Sequence, residues 1–175
     1  MRKLIAILLP ALLFCTLASM ARAQSNAQTT PQSDARKAFE KMKTLAGSWQ
    51  GTVMGMSINI TMHVASSGST ILSEATADGK RPPDHEITTF YMEGDRLLAT
   101  HYCDAGNRSH MEGKVSPDGN TIEFNTVDVA GSMRGGFTKR LVFTLIDADH
   151  YGLELTYMMP DGKAVEARGQ FQRTK

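Results

Sequence analysis

Cysteine is nearly absent from this chain: Cys15 and Cys103 are the two thiols among 175 residues. So few cysteines exclude a disulfide framework and any zinc site built on CxxC pairs. Runs of like charge are also missing, which removes the usual signature of a nucleic-acid or anionic-lipid surface. There is no Gly-x-Ser-x-Gly, no phosphate loop and no His-Glu-x-x-His, so three common catalytic constellations drop out. "DADHYG" opens like a calcium loop, but Tyr151 stands where a ligand belongs and no glutamate closes it.

One long apolar run is present, and it lies at the start. "MRKLIAILLPALLFCTLASMARAQ" has Arg2 and Lys3, an apolar stretch to Leu17 interrupted by Pro10, and the small-x-small triplet Ala21-Arg22-Ala23. This pattern predicts a signal peptide over residues 1–23, cut between Ala23 and Gln24, and hence a periplasmic or secreted protein. A lipid-modified Cys15 is the competing reading, and Phe14 argues against it because that position requires a small residue. Cleavage would remove Arg2, Lys3 and Arg22, taking the basic residues from 19 to 16 against 18 acidic ones. Cys103 would then be the lone cysteine, leaving a fold held by its core. Residues 24–33, "QSNAQTTPQS", are polar and read as a disordered tether. Residues 34–175 remain as one domain, with no integral membrane segment expected after the cut.

One helical period is visible. Asp34 is the expected N-cap, followed by Ala35, Ala38, Phe39, Met42, Leu45 and Ala46 at three- and four-residue spacings. Gly47 then stands where a left-handed terminal residue is wanted. After Trp49 the period falls to two. "MSINITMHV", for example, sets Met56, Ile58, Ile60, Met62 and Val64 on one face and Ser57, Asn59, Thr61 and His63 on the other. About ten such segments follow one another, separated by short turns such as "EGD", "DAGN", "SPDG" and "MPDG". Short links force antiparallel neighbours, and the natural closure is a single up-and-down barrel preceded by one short helix. Two links are longer: "ADGKRPPD", with Pro82-Pro83, and the glycine-rich "AGSMRGG", flexible enough for a portal loop.

"LAGSWQG", Leu45 to Gly51, following a short helix, resembles the opening of calycin-type barrels: lipocalins, nitrobindin-like haem barrels and uncharacterised exported lipocalin-like proteins. The last group also resembles this chain in "DRLLATHYCDAGNR". The resemblance implies an all-β barrel whose base is closed by Trp49 with Gly47. In nitrobindin-like barrels the iron ligand is a histidine very late in the chain. Here no histidine follows His150, so haem is not expected.

Chemistry concentrates at His101 and Cys103. Two apart on a strand, they share a face with Leu97 and Ala99, while Leu98, Thr100 and Tyr102 share the other. Imidazole and thiolate are good ligands for zinc or copper, and a histidine can activate a cysteine nucleophile. No second pair completes a ligand set, so no metal is assigned and a buried thiol beside a hydrogen-bonded histidine is the plainer reading. Nine of the 11 methionines follow residue 23, scattered and without a Met-x-x-Met, which suits an adaptable apolar wall better than copper. Asp78, Asp84 and Glu86 flank a loop and read as solvated carboxylates. "NRS" at Asn107 is a glycosylation sequon only in a eukaryotic source.

The function these readings favour is an exported barrel binding one small, mostly apolar molecule. His101, Tyr102, Cys103, Tyr91 and Met62 are the expected lining residues, and no catalytic residue or cofactor is assigned. The alternatives are a thiol-dependent enzyme or metal-binding protein using His101 and Cys103, and an interaction module without a ligand.

Overall fold

The computed structural model describes residues 32–78 and 85–174. The expected signal peptide, most of the expected tether and the Pro82-Pro83 link lie outside these residues. Helix α1 spans Asp34–Met42, and a 3₁₀ turn continues it over Lys43–Leu45. Ten strands follow: β1 Gly47–Val53, β2 Met56–Ala65, β3 Thr70–Ala77, β4 Glu86–Glu93, β5 Arg96–Tyr102, β6 Asn107–Val115, β7 Thr121–Gly131, β8 Phe137–Leu145, β9 His150–Met158 and β10 Ala164–Arg173. Each pairs antiparallel with its chain neighbours, and β1 pairs with β10 to close the barrel. The expected up-and-down barrel with one preceding helix is therefore the observed architecture.

The helix is capped one residue earlier than the sequence suggests. Ser33, assigned above to the tether, accepts from the Arg36 N–H at 3.3 Å, and Asp34 lies in the first turn. A carboxylate there favours the positive end of the helix dipole, and Lys41 suits the other end. The helix also stops at Met42 instead of running to Ala46, because the chain tightens into the 3₁₀ turn that leads into β1. Gly47 is consequently the first residue of β1, at φ +135°, and not a helix terminus. A Cβ there would come within 2.5 Å of the Arg173 guanidinium.

The buried face of α1, Ala38, Phe39 and Met42, covers one end of the barrel. Arg36 donates to the Gly94 carbonyl in the β4–β5 turn, and Lys41 to the Gly119 carbonyl in the β6–β7 turn, each at 3.3 Å. At the same end Trp49 is 1% exposed and donates its indole N–H to the Leu45 carbonyl at 2.8 Å. Arg173 sits over the indole, 4.2 Å from the ring centroid, and donates to the carbonyls of Ala46, Thr44 and Ala148. One guanidinium thus ties the last strand to the helix exit and to the β8–β9 turn.

Aromatic rings fill the interior next to this plug. Tyr151 meets Trp49 edge-on at 4.8 Å and stacks on Phe171 at 5.1 Å, while Phe90, Phe124 and Phe143 pack among themselves. Phe171 lies over Gly51, where a Cβ would come within 2.8 Å of the ring, so only glycine admits it. The Tyr151 hydroxyl is buried with no hydrogen-bond partner. An unsatisfied buried hydroxyl costs stability, so Tyr151→Phe, which keeps the ring, should leave the protein as stable or raise it by about 1 kcal/mol. Urea unfolding of the two proteins tests this, and a clear destabilisation by the variant would contradict it.

Two further expectations meet the structure at the opposite end. The glycine-rich β7–β8 link is not a loose portal: the Asn107 amide donates to the Ser132 and Gly136 carbonyls at 3.0 and 2.7 Å. That amide belongs to a residue only 5% exposed, so Asn107 is a structural clamp and not a glycosylation acceptor.

Candidate functional site

Away from the plug the inward positions become small. Ser73 and Ala75 on β3, Thr88 on β4 and Ala167 on β10 replace the rings of the lower half, and space remains. The result is a cavity of about 300 Å³ that opens at the end opposite α1. Its wall is apolar on one side, where Ile58, Ile60 and Met62 on β2 face Leu153 and Leu155 on β9. The other side carries Ser73, Thr88 and His101, with the carboxylates of Glu86 and Asp104.

Register explains the polar side. β4 and β5 are joined through the tight Gly94-Asp95 turn, with Glu93 opposite Arg96 and Thr88 opposite His101. Continuing the ladder by two residues brings Glu86 beside Cys103. The Cys103 sulfur lies 3.6 Å from Glu86 Oε1, 3.7 Å from the Tyr157 hydroxyl and 3.8 Å from Asp104 Oδ1. One donor atom each from Glu86, His101 and Cys103 fall within 4.8 Å of one another.

The electrostatics follow from burial. His101 is 4% exposed, and desolvation lowers its pKa to about 4, so the ring is neutral at pH 7. Its Nδ1 meets the Thr88 hydroxyl at 2.9 Å, and its Nε2 has no partner. Burial pushes the Cys103 thiol up, and the Glu86 and Asp104 carboxylates push the same way. The Ala105 N–H and the contact with the Tyr157 hydroxyl oppose that rise without cancelling it. Burial also raises Tyr157, whose hydroxyl donates to the Gly135 carbonyl at 3.2 Å.

Of the residues expected to line an interior, His101 and Met62 do so, and Cys103 is buried beside Glu86 and Tyr157. Tyr102 and Tyr91 do not. Tyr102 is 45% exposed because the pleat that turns His101 inward turns its neighbour outward. Tyr91 lies on the same outer face, its hydroxyl 3.4 Å from Thr100 Oγ1, for the same reason relative to the buried Phe90. Glu86, read from sequence as a solvated loop carboxylate, lines the cavity instead. A signal for it exists in "EITTFYMEGDRLLATHYC", since a two-residue turn at Gly94-Asp95 fixes the pairing all the way back to Glu86.

No family model matches the chain, and no curated protein does. Solved structures share the fold. One is a protein of unknown function from the DUF3598 family of Nostoc punctiforme, 13% identical with a TM-score of 0.54, over 75% of this chain and 48% of that one. Another is Rv2717c from M. tuberculosis, 16% identical with a TM-score of 0.55, over 79% of this chain and 98% of that one. The chain thus spans about half the length of the first and nearly all of the second. At these identities the likeness is one of fold, a calycin-like barrel, and no matching family or relative supports a nitrobindin-like assignment in particular. Among the described residues no helix is long and apolar enough to cross a membrane.

Proposed function

We propose that this chain is an exported barrel that binds one small, mostly apolar molecule with a polar end. The observation that carries this reading is the cavity, apolar on β2 and β9 and polar at Ser73, Thr88 and His101. Burial of apolar area against Ile, Leu and Met side chains supplies affinity, and the few polar groups orient the guest. Its volume of about 300 Å³ sits at the lower end of ligand pockets, which favours a compact guest. A thiol enzyme is less well supported. The His101 ring is held by Thr88 and not by Cys103, and the acidic neighbours of Cys103 disfavour a thiolate. The leader "MRKLIAILLPALLFC" supports export, which N-terminal sequencing of the mature protein tests.

Filling the cavity tests the binding. Ala75 lines it and is only partly buried, so Ala75→Phe should occupy the space and weaken binding of a solvatochromic apolar dye by about tenfold or more, one or two kcal/mol of lost burial. Tyr102→Ala, on the outer face, should leave the dye titration unchanged. Equal binding by wild type and Ala75→Phe, or loss in Tyr102→Ala alone, would place the dye outside the barrel and count against a ligand cavity.

A further inference from the structure

We propose that Glu86, His101 and Cys103 form a mononuclear Zn²⁺ site in the polar wall of the cavity. The three side chains come from β4, β5 and the residue after β5, and their donor atoms converge within 4.8 Å. Two facts raise this above a chance cluster. First, His101 Nε2 is buried without a partner, a lone pair or N–H that the fold leaves bare at considerable cost. Second, Thr88 already holds Nδ1 at 2.9 Å, which is the outer-shell arrangement that fixes a ligating imidazole. If Nδ1 donates to the Thr88 hydroxyl, Nε2 keeps its lone pair free for a cation.

The sulfur–oxygen spacing fits as it stands, and the imidazole, within 4.8 Å of both, closes in on binding. With Zn–S near 2.3 Å and Zn–O near 2.0–2.2 Å, a tetrahedral S···O edge is about 3.6 Å. Cys103 Sγ and Glu86 Oε1 stand 3.6 Å apart. One nitrogen, one sulfur and one carboxylate oxygen form a borderline donor set that suits zinc. Calcium and magnesium require oxygen ligands, and a carboxylate is a poor partner for Cu(I). Three protein ligands leave a fourth position, which water or the Asp104 carboxylate, 3.8 Å from Sγ, completes. On binding, the Cys103 thiol loses its proton to solvent and the sulfur bonds the ion, with no change of oxidation state. The site stands on these side chains alone, whatever molecule the cavity holds.

The test is zinc titration of the reduced, full-length chain, stripped with chelator, against a fluorescent zinc indicator. One Zn²⁺ per chain is expected, bound at least tenfold more weakly by Cys103→Ser and by Glu86→Gln, with far-UV circular dichroism showing each variant folded. Co²⁺ in the same protein should give thiolate-to-metal charge-transfer absorption that Cys103→Ser lacks. Absence of stoichiometric zinc, equal affinity in Cys103→Ser, or a Co²⁺ adduct without the charge-transfer band overturns the proposal. Dye binding measured with and without zinc separates this result from the cavity's own.

Discussion

Trp49→Ala should lose about 3–5 kcal/mol of folding stability, the range for emptying a fully buried large aromatic position. Trp49 is 1% exposed, and its removal strips three kinds of contact at once. The indole N–H no longer satisfies the Leu45 carbonyl, Tyr151 loses its edge-on partner, and the Arg173 guanidinium loses the ring beneath it. Arg173 matters beyond its own contact, because it also holds Ala46, Thr44 and Ala148. Its anchor gone, α1 should cover the barrel end less tightly. Trp49→Phe, keeping a ring but not the N–H, should cost roughly half as much, about 1–3 kcal/mol. Urea unfolding followed by far-UV circular dichroism measures both, since the chain's one tryptophan is removed as a fluorophore. A loss below about 1 kcal/mol in Trp49→Ala would mean that the barrel end is held by something other than this cluster.

What the sequence makes legible depends on whether the information is local. The period-two alternation and the Asp-Gly turns are local, so ten strands and their antiparallel order can be read, and the barrel follows. Which residues share a face on one strand is equally plain: His101 and Cys103 do. Which face looks inward is set by the whole sheet, and there local evidence falls short. Tyr102 reads as a lining residue by its closeness to His101, although alternation forbids both. Tyr91 enters for its chemistry, against the buried Phe90 beside it. Glu86 escapes notice because a carboxylate near a Pro-rich link looks solvated until the β4–β5 register is carried back to it. The helix is capped by Ser33 for a different reason. Serine and aspartate are both good caps, and only the Arg36 N–H at 3.3 Å decides between them. The cavity itself is beyond reach of the sequence, because it arises where Ser73, Ala75, Thr88 and Ala167, far apart along the chain, gather at one end.

Stability should fall by about 3 kcal/mol more in wild type than in His101→Asn between pH 7 and pH 4, measured with chelator present. The cause is the environment of one ring. His101 is buried neutral, with a pKa lowered from 6.5 to about 4 by desolvation, while the unfolded chain titrates near the ordinary value. Above pH 6.5 both states carry a neutral imidazole and the site adds no pH dependence. Between 6.5 and 4 the unfolded chain takes up a proton that the folded chain refuses, so stability drops as pH falls. Below about 4 the folded ring is protonated too and the loss levels off. A shift of this size converts at about 1.4 kcal/mol per pKa unit. Carboxylates such as Glu123, held low by its hydrogen bond from Arg140, also lose stability in acid. They do so equally in both proteins and cancel in the difference. The amide introduced by His101→Asn keeps a polar group within reach of Thr88 but has nothing to protonate, so the variant's curve should be the flatter one. Parallel curves across this window would show that the imidazole is charged or solvated in the folded protein, and the neutral, unpartnered Nε2 would then not describe the site.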